Sequence, residues 1–274
     1  MVKQINVACS GSGFKFPALV GSLKAVVEAG YIIRGKAGTS GGSIVSAMLA
    51  CGMSVNDMEV LTLSRDWSGM LRFNLFAPVL MMGYCNGKNL LAFMHEMTGG
   101  KTFADLEDDL HIIASDISFM KPFVFSKETT PDVPVAFAAR CSASIPFAYG
   151  MMQYEDAEGL HYLMDGGMQN NIPADYLAMV PGVPRLGIRL VAKEKPLTPG
   201  WHWAHEIAPR VVNSILDANE NAHVDLDERD GIDFAFVETG YANGLDANMS
   251  VDLRQRLLND GHDLTAAALQ KAGL

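Results

Sequence analysis

Short apolar runs alternate with segments of helical periodicity along the first fifty residues. Residues 5–9 form an apolar run that predicts a buried strand ending at a glycine loop. Leucines and valines then recur at helical spacing after Pro17, a residue suited to the first turn of a helix. A second strand is predicted over 32–38 and a second helix over 42–51. This alternation predicts a parallel sheet covered by helices.

The rest of the chain continues the same pattern less regularly. Residues 53–105 are predicted to be helical but irregular. Further strands are predicted at 110–114, 123–125, 160–164, 186–191 and 234–237, and further helices at 135–142, 201–222 and, as one helix or two, 251–272. No repeat is visible, and 196–200 is the best linker candidate. We therefore predict a single α/β domain over residues 1–274, a three-layer α/β/α fold with a mainly parallel central sheet.

The composition narrows the class of protein. Hydrophobic residues make up 49% of the 274 residues and charged residues 19%, so a sizeable core can form. The formal net charge of -10 disfavours a nucleic-acid partner, because phosphate binding needs clustered Lys and Arg. The four cysteines are far apart, as expected for free thiols. With no signal core and no spanning apolar stretch, we expect a cytoplasmic protein that contacts membranes only peripherally.

A G-x-S-x-G pentapeptide lies between the second predicted strand and the second predicted helix. It comprises Gly38, Thr39, Ser40, Gly41 and Gly42. In a nucleophile elbow the sharp turn leaves no room for a Cβ beside the serine, and the following helix directs its amino end at it. This context indicates Ser40 as a nucleophile, with Gly38 and Gly42 as the elbow glycines. The structural alternative is a glycine-rich turn with a capping serine.

A glycine loop follows the first predicted strand. Its candidate residues are Gly11, Ser12, Gly13 and Lys15. Glycines let backbone N–H groups converge on an anion, which in acyl transfer is the tetrahedral oxyanion. Lys15 would add positive charge, unless it is a solvated surface lysine. A dinucleotide fingerprint is disfavoured because Phe16 stands where its third glycine would be, and the P-loop-like run 30–37 lacks the metal-binding hydroxyl.

Asp165, Gly166 and Gly167 follow the predicted strand 160–164. An aspartate at the carboxyl end of a strand lies where open α/β sheets form their sites, and glycines let another loop approach the carboxylate. A serine nucleophile needs a base. The histidines that follow Asp165 in the chain are His202, His205, His223 and His262. None lies in a recognisable loop motif, and a direct Ser–Asp dyad would need none of them.

Together these elements resemble the patatin-like phospholipase family. The glycine loop is similar to the family's oxyanion loop, 38–42 to its G-x-S-x-G elbow and 165–167 to its D-G-[GA] motif. Residues 140–147 and 171–173 resemble the family's segments on either side of the catalytic aspartate, and 253–274 its closing helix. The resemblance therefore spans almost the whole chain.

The resemblance implies a lipid acyl hydrolase of the phospholipase A type, with a Ser40–Asp165 dyad and an acyl-Ser40 intermediate. N–H groups near Gly11, Ser12 and Gly13 would hold the oxyanion, and no metal or other cofactor is implied. The partner would be a phospholipid or another acyl-ester lipid at a membrane surface, and some relatives also need a protein activator. A transacylase with the same dyad and a catalytically weak lipid-binding or scaffold protein are the alternatives.

Three features of the sequence bear on how well such a site would work. Ser12 interrupts the family's usual three consecutive glycines, and Phe16 replaces a glycine. If the loop needs a positive φ at Ser12, the oxyanion hole would be distorted, because serine disfavours that conformation. The segment 67–83 is unusually apolar and rich in methionine, which predicts either a membrane-contacting flap over the site or a buried helix pair.

Overall fold

A mixed sheet of eight strands lies at the centre of the chain. The computed structural model describes residues 3–71, 83–85, 87–192 and 226–274, with residues 196, 197, 200 and 224 between them. The strands of the sheet are β1 (Lys3–Cys9), β2 (Tyr31–Thr39), β4 (Leu110–Asp116), β5 (Lys121–Phe125), β7 (Met152–Asp156), β8 (Gly159–Asp165), β9 (Arg185–Val191) and β10 (Asp233–Glu238). Two short strands, β3 (Gly83–Cys85) and β6 (Phe147–Tyr149), pair separately.

The order across the sheet is β10-β9-β1-β2-β4-β8-β7, with β5 also paired to β4. Strands β10, β9, β1, β2 and β4 run parallel to their neighbours in this order. Strands β5 and β8 are antiparallel to β4, and β7 is antiparallel to β8. The predicted α/β class, with a mainly parallel sheet flanked by helices, is confirmed.

Six α-helices surround the sheet in the described part of the chain. They are α1 (Phe16–Glu28), α2 (Gly41–Ala50), α3 (Val55–Ser64), α4 (Lys88–Thr98), α5 (Val135–Ser142) and α6 (Val251–Ala272). The last helix is one continuous element, and it packs closely on α1, since a Cβ on Gly21 would overlap the carbonyl oxygen of Leu258. The buried Ser22 hydroxyl donates to the carbonyl oxygens of Ala18 and Gly261, at 3.0 and 3.1 Å.

Most predicted elements form within a few residues of their expected bounds, but β3, β6 and β7 were not anticipated. β3 and β6 are three residues long, too short to show the alternation by which a strand is recognised, and β7 alternates half-buried Met152 and Tyr154 with exposed neighbours but has no fully buried position. The predicted helix 201–222 and most of the apolar segment 67–83 lie outside the described residues. No described helix is long and apolar enough to cross a membrane.

Candidate active site

Ser40 occupies a strained turn between β2 and α2. Its backbone has φ 53° and ψ -124°, a region that side chains disfavour. Hydrogen bonds on both sides hold this conformation: the Ser40 N–H donates to Ser142 Oγ at 2.9 Å, and the Ser43 hydroxyl donates to the Ser40 carbonyl at 2.6 Å. The side chain lies at the amino end of α2, where the helix dipole favours negative charge.

Close backbone contacts explain the two predicted elbow glycines. A Cβ on Gly38 would lie 2.5 Å from the Gly42 carbonyl oxygen, and a Cβ on Gly42 would overlap the carbonyl oxygen of Cys9. Gly41 is equally constrained, since its Cβ would lie 2.7 Å from the Gly13 carbonyl oxygen. These contacts pack the start of α2 directly against the glycine loop that follows β1.

The strand register brings Asp165 to the level of Ser40. In the parallel pair β2–β4, Thr39 is opposite Ile113, and in the antiparallel pair β4–β8, the next residue Ala114 is opposite Asp165. The sequence placed Asp165 at the carboxyl end of a strand and gave no direction for that strand. The structure shows that β8 runs antiparallel to β4, and that this register brings the aspartate to the level of the elbow.

The backbone of Asp165 is held from two sides. Its N–H donates to the carbonyl oxygen of Ser144 at 3.0 Å, and its own carbonyl accepts the Ser115 hydroxyl at 2.7 Å. The following Gly166 lies against β4, since a Cβ there would overlap the Ile113 carbonyl oxygen. Gly167 donates its N–H to Asp165 Oδ1 at 2.9 Å, which fixes the orientation of the carboxyl group.

Burial dominates the environment of the Asp165 carboxyl group. Burial raises its pKa to about 6, while the Ser40 hydroxyl and the Gly167 N–H act in the opposite direction by favouring the carboxylate. Asp165 Oδ2 is buried without a hydrogen bond of ordinary geometry. Within the described residues, Oδ1 is engaged by the Gly167 N–H and Oδ2 is left available.

Two N–H groups of the glycine loop are open to an oxyanion. The Gly11 N–H donates to the Asn171 carbonyl at 3.0 Å, which removes it from the candidate donors. The N–H groups of Ser12 and Gly13 donate to no acceptor within the described residues. Ser12 has φ -142° and Gly13 has φ 52°, so the left-handed position falls on glycine and the expected distortion at Ser12 does not arise.

Lys15 fastens the glycine loop to the segment after β10. Its Nζ donates to Thr239 Oγ1 at 3.1 Å, and the neighbouring Phe14 N–H donates to the Gly244 carbonyl at 2.7 Å. These contacts indicate that Lys15 helps to hold the shape of the glycine loop by bonding to the segment after β10. From the sequence, Lys15 was predicted either to add positive charge beside the oxyanion or to be a solvated surface lysine.

An apolar pocket opens beside Ser40. Phe16, Trp67 and Phe93 form part of its wall, together with Met70 and Leu90. The rings of Phe16 and Trp67 meet edge to face at 4.9 Å, and those of Trp67 and Phe93 at 5.3 Å. The Trp67 indole also donates to the Thr62 carbonyl at 3.2 Å, which fixes its position. Phe16, which replaces the family's usual glycine, thus contributes an aromatic ring to the pocket wall.

Two of the described histidines, His161 and His262, have hydrogen-bond partners away from the elbow. His161 lies between Asp116 and Asp156, with Nδ1–Oδ2 and Nε2–Oδ1 distances of 2.6 and 2.9 Å. His262 bonds to Glu28 and Asp263 near the surface. Of the histidines in the described ranges, none bonds to Ser40 or Asp165. The candidates His202, His205 and His223 lie outside these ranges.

Two polar residues of the site were not predicted from the sequence. Ser142 and Asn171 bond to the elbow and to the glycine loop respectively. Both lie in segments noted only for their resemblance to the family. Nothing in the local pattern distinguishes them, because their partners are about 100 or more residues away in the chain.

A strained serine between a strand and a helix, a buried aspartate and an apolar pocket define the class of esterase- and lipase-type hydrolases. A family model described as patatin-like phospholipase matches residues 7–178. The chain belongs to the patatin-like phospholipase family.

The chain is also similar to individual proteins and solved structures. The chain is 27% identical over 242 residues to YqhO of Bacillus subtilis (strain 168), covering 80% of this chain and 83% of that protein. It is 25% identical over 183 residues to the probable lipid hydrolase 463L of Invertebrate iridescent virus 6, covering 62% of each. The crystal structure of VipD from Legionella pneumophila has the same fold, with a TM-score of 0.67 and 14% identity over 98% of this chain and 67% of that one.

Proposed function

We propose that this protein is a lipid acyl hydrolase of the phospholipase A type that works through a Ser40–Asp165 dyad. One observation carries the proposal. A buried carboxyl group with a pKa raised to about 6 and an unbonded Oδ2 adjoins the hydroxyl of a serine in a strained elbow. The description of 463L as a probable lipid hydrolase supports the same activity.

The first half of the reaction forms an acyl-enzyme. Ser40 Oγ attacks the ester carbonyl carbon while its proton passes to Asp165 Oδ2, a transfer favoured by a base with a pKa near the working pH. The negative charge on the carbonyl oxygen is held by the N–H groups of Ser12 and Gly13 and by the amino end of α2. When the intermediate collapses, protonated Asp165 gives its proton to the leaving alkoxide.

The second half releases the fatty acid. A water molecule attacks the acyl-Ser40 carbonyl, Asp165 takes the proton of that water, and the same two N–H groups hold the second oxyanion. Collapse returns the proton to Ser40 Oγ. Every proton transfer thus uses one carboxyl group, which explains why its orientation is fixed by the Gly167 N–H.

The lining of the pocket supports the proposal that Ser40 carries an acyl chain in the intermediate. Its wall beside the serine is aromatic and aliphatic, and such surfaces bind methylene chains by excluding water. We also propose that residues 1–274 form one patatin-like domain. The close packing of α6 on α1, well after the segment matched by the family model, supports this extent.

Lipid-class profiling of fatty-acid release tests the activity and the dyad together. Wild type is expected to release fatty acid from phospholipid, whereas Ser40→Ala and Asp165→Asn should each reduce the rate at least about 10³-fold, the order expected when a nucleophile or its base is lost. A fluorophosphonate probe should label wild type at Ser40 only.

Ser22→Ala is the matched control, because Ser22 is a buried, hydrogen-bonded serine in another helix. It should retain the wild-type rate and labelling. Fatty-acid release by Ser40→Ala at the wild-type rate would overturn the proposed dyad. Ser40 labelling without release from any lipid class would retain the nucleophile but overturn the lipid substrate.

A further inference from the structure

The turn between β4 and β5 presents two large apolar side chains to solvent. It comprises residues 117–120, between Asp116 of β4 and Lys121 of β5. Asp116 and Lys121 form the last residue pair of the β4–β5 ladder. At its tip, Phe119 is 44% exposed and Met120 is 74% exposed. We call residues 119 and 120 the apolar tip.

The turn is well ordered by hydrogen bonds. Asp116 Oδ1 accepts the Ser118 N–H at 2.9 Å, and Ser118 Oγ accepts the Tyr162 N–H at 2.9 Å. One face of the Phe119 ring packs against His161, with ring centroids 4.9 Å apart. The apolar tip is therefore held outward on a rigid support.

The backbone conformation of Met120 indicates that this residue has a role other than stabilising the fold. Its φ is 56°, and apart from Ser40 it is the only non-glycine residue with positive φ in the described ranges. Gly or Asn would relax this conformation, whereas a long side chain strains it and gains little burial here. A strained backbone that carries an exposed methionine indicates a functional contact.

The apolar tip and Ser40 lie at the same edge of the sheet. Thr39 of β2 is level with Ile113 of the parallel strand β4, and β4 ends three residues later at Asp116. At 3.3 Å per residue, the turn therefore begins about 10 Å beyond the level of the serine. A surface touched by the apolar tip would face the edge at which the proposed site opens.

The charges around the apolar tip do not favour an anionic surface. Lys121 is paired with Glu158 at 2.6 Å, and the end of strand β7 adds Glu155 and Asp156, the latter bonded to His161. The whole chain has a formal net charge of -10. Attraction to a membrane would have to come from apolar insertion.

We propose that the apolar tip inserts into the interface of a zwitterionic lipid bilayer and thereby orients the Ser40 edge of the sheet toward the membrane. This inference rests on the proposed lipid hydrolase function. Methionine and phenylalanine are well suited to this insertion, because both transfer favourably from water into the acyl boundary of a bilayer.

Vesicle co-sedimentation tests the insertion separately from catalysis. The protein carries Ser40→Ala, so that no lipid is consumed, and is mixed with phosphatidylcholine vesicles. Met120→Asn should lower the partition coefficient about tenfold, the value expected for loss of one buried methionine side chain. Its melting temperature should equal or exceed that of the parent, because Asn tolerates the left-handed conformation.

Met179→Asn is the matched control. Met179 is 76% exposed, but it precedes the amino end of β9, at the opposite edge of the sheet from Ser40. This variant should bind vesicles like the parent. The inference would be overturned if the Met120 and Met179 variants partitioned equally. It would also be overturned if the parent bound only vesicles that contain anionic lipid, or if 0.5 M salt abolished its binding.

Assays with an intact Ser40 separate this inference from the proposed function. Met120→Asn should hydrolyse a soluble p-nitrophenyl ester within about twofold of wild type, yet lose about tenfold on vesicles. Equal losses on both substrates would overturn the inference. Failure of wild type to hydrolyse either substrate would refute the proposed function, while the binding difference between the two methionine variants would still support insertion of the apolar tip.

Discussion

The backbone N–H of Ser40 donates a 2.9 Å hydrogen bond to the hydroxyl of Ser142 at the end of α5. That hydroxyl in turn donates to the Ile113 carbonyl of β4 at 2.5 Å. Two residues later, the Ser144 carbonyl accepts the N–H of Asp165 at 3.0 Å. The carboxyl end of α5 therefore holds the backbones of both residues of the proposed dyad.

Ser142→Ala should lower activity mainly through kcat. The substitution leaves the buried Ser40 N–H without an acceptor, which costs about 1–3 kcal/mol and lets the strained elbow relax. A small displacement of a reacting group reduces the rate by about 10²-fold. Steady-state kinetics on a soluble ester should show this drop with KM nearly unchanged. Ser22→Ala, which also loses a buried serine bond, should keep kcat.

Asp165→Asn should abolish hydrolysis and stabilise the fold at pH 7. Burial raises the pKa of Asp165 to about 6, above the unfolded value of about 3.9, so the ionised group destabilises the folded state. Asn keeps the shape and the acceptor for the Gly167 N–H without the charge. We expect a gain of about 1–3 kcal/mol in unfolding free energy at pH 7, measured by urea denaturation.

The same comparison at lower pH checks the cause. As pH falls from about 6 toward the unfolded value of about 3.9, Asp165 in the folded wild type is protonated and its destabilising effect decreases progressively. The stability difference between Asp165→Asn and wild type should therefore shrink toward pH 4.5. A difference that is constant from pH 4.5 to 8 would show that the gain has another origin.

The activity of the wild type should rise with pH through the pKa of Asp165. Only the carboxylate can accept the Ser40 proton, and burial raises the pKa of this group to about 6. The value of kcat/KM on a soluble ester should increase tenfold per pH unit below about pH 5.5 and become constant above about pH 7. An inflection near pH 4 would instead indicate a solvated, unperturbed carboxyl group.

Trp67→Leu should shift the acyl-chain preference toward longer chains. Trp67 forms part of the pocket wall and is fixed by Phe16, Phe93 and the Thr62 carbonyl. A smaller side chain leaves room for additional methylenes, each worth about fourfold in kcat/KM when buried. The measurement is a series of p-nitrophenyl esters of increasing chain length, compared between variant and wild type.

Phe103→Leu controls for the general loss of an aromatic ring. Phe103 is fully buried but does not line the pocket, so its replacement should lower stability without changing the optimal chain length. If both variants shift the optimum equally, Trp67 has no specific part in chain selection.

The local pattern was sufficient for the elbow and for the parallel part of the sheet. The strand before Ser40 and the helix after it form where the apolar periodicity predicts them, and Gly38 and Gly42 meet the expected close contacts. These features depend on neighbours within a few residues. The match of the family model to residues 7–178 confirms the family that the motifs resembled.

The sequence alone determined which residues we propose for the chemistry, since it places the serine, the aspartate and the glycines in motifs that resemble those of the family. The tertiary structure decided how they meet. The antiparallel pairing of β8 with β4, the engagement of the Gly11 N–H by Asn171, and the support of Ser40 by Ser142 join residues about 50 to 160 positions apart. Such contacts follow from strand order and register, which arise only when the whole sheet packs, and no local pattern encodes them.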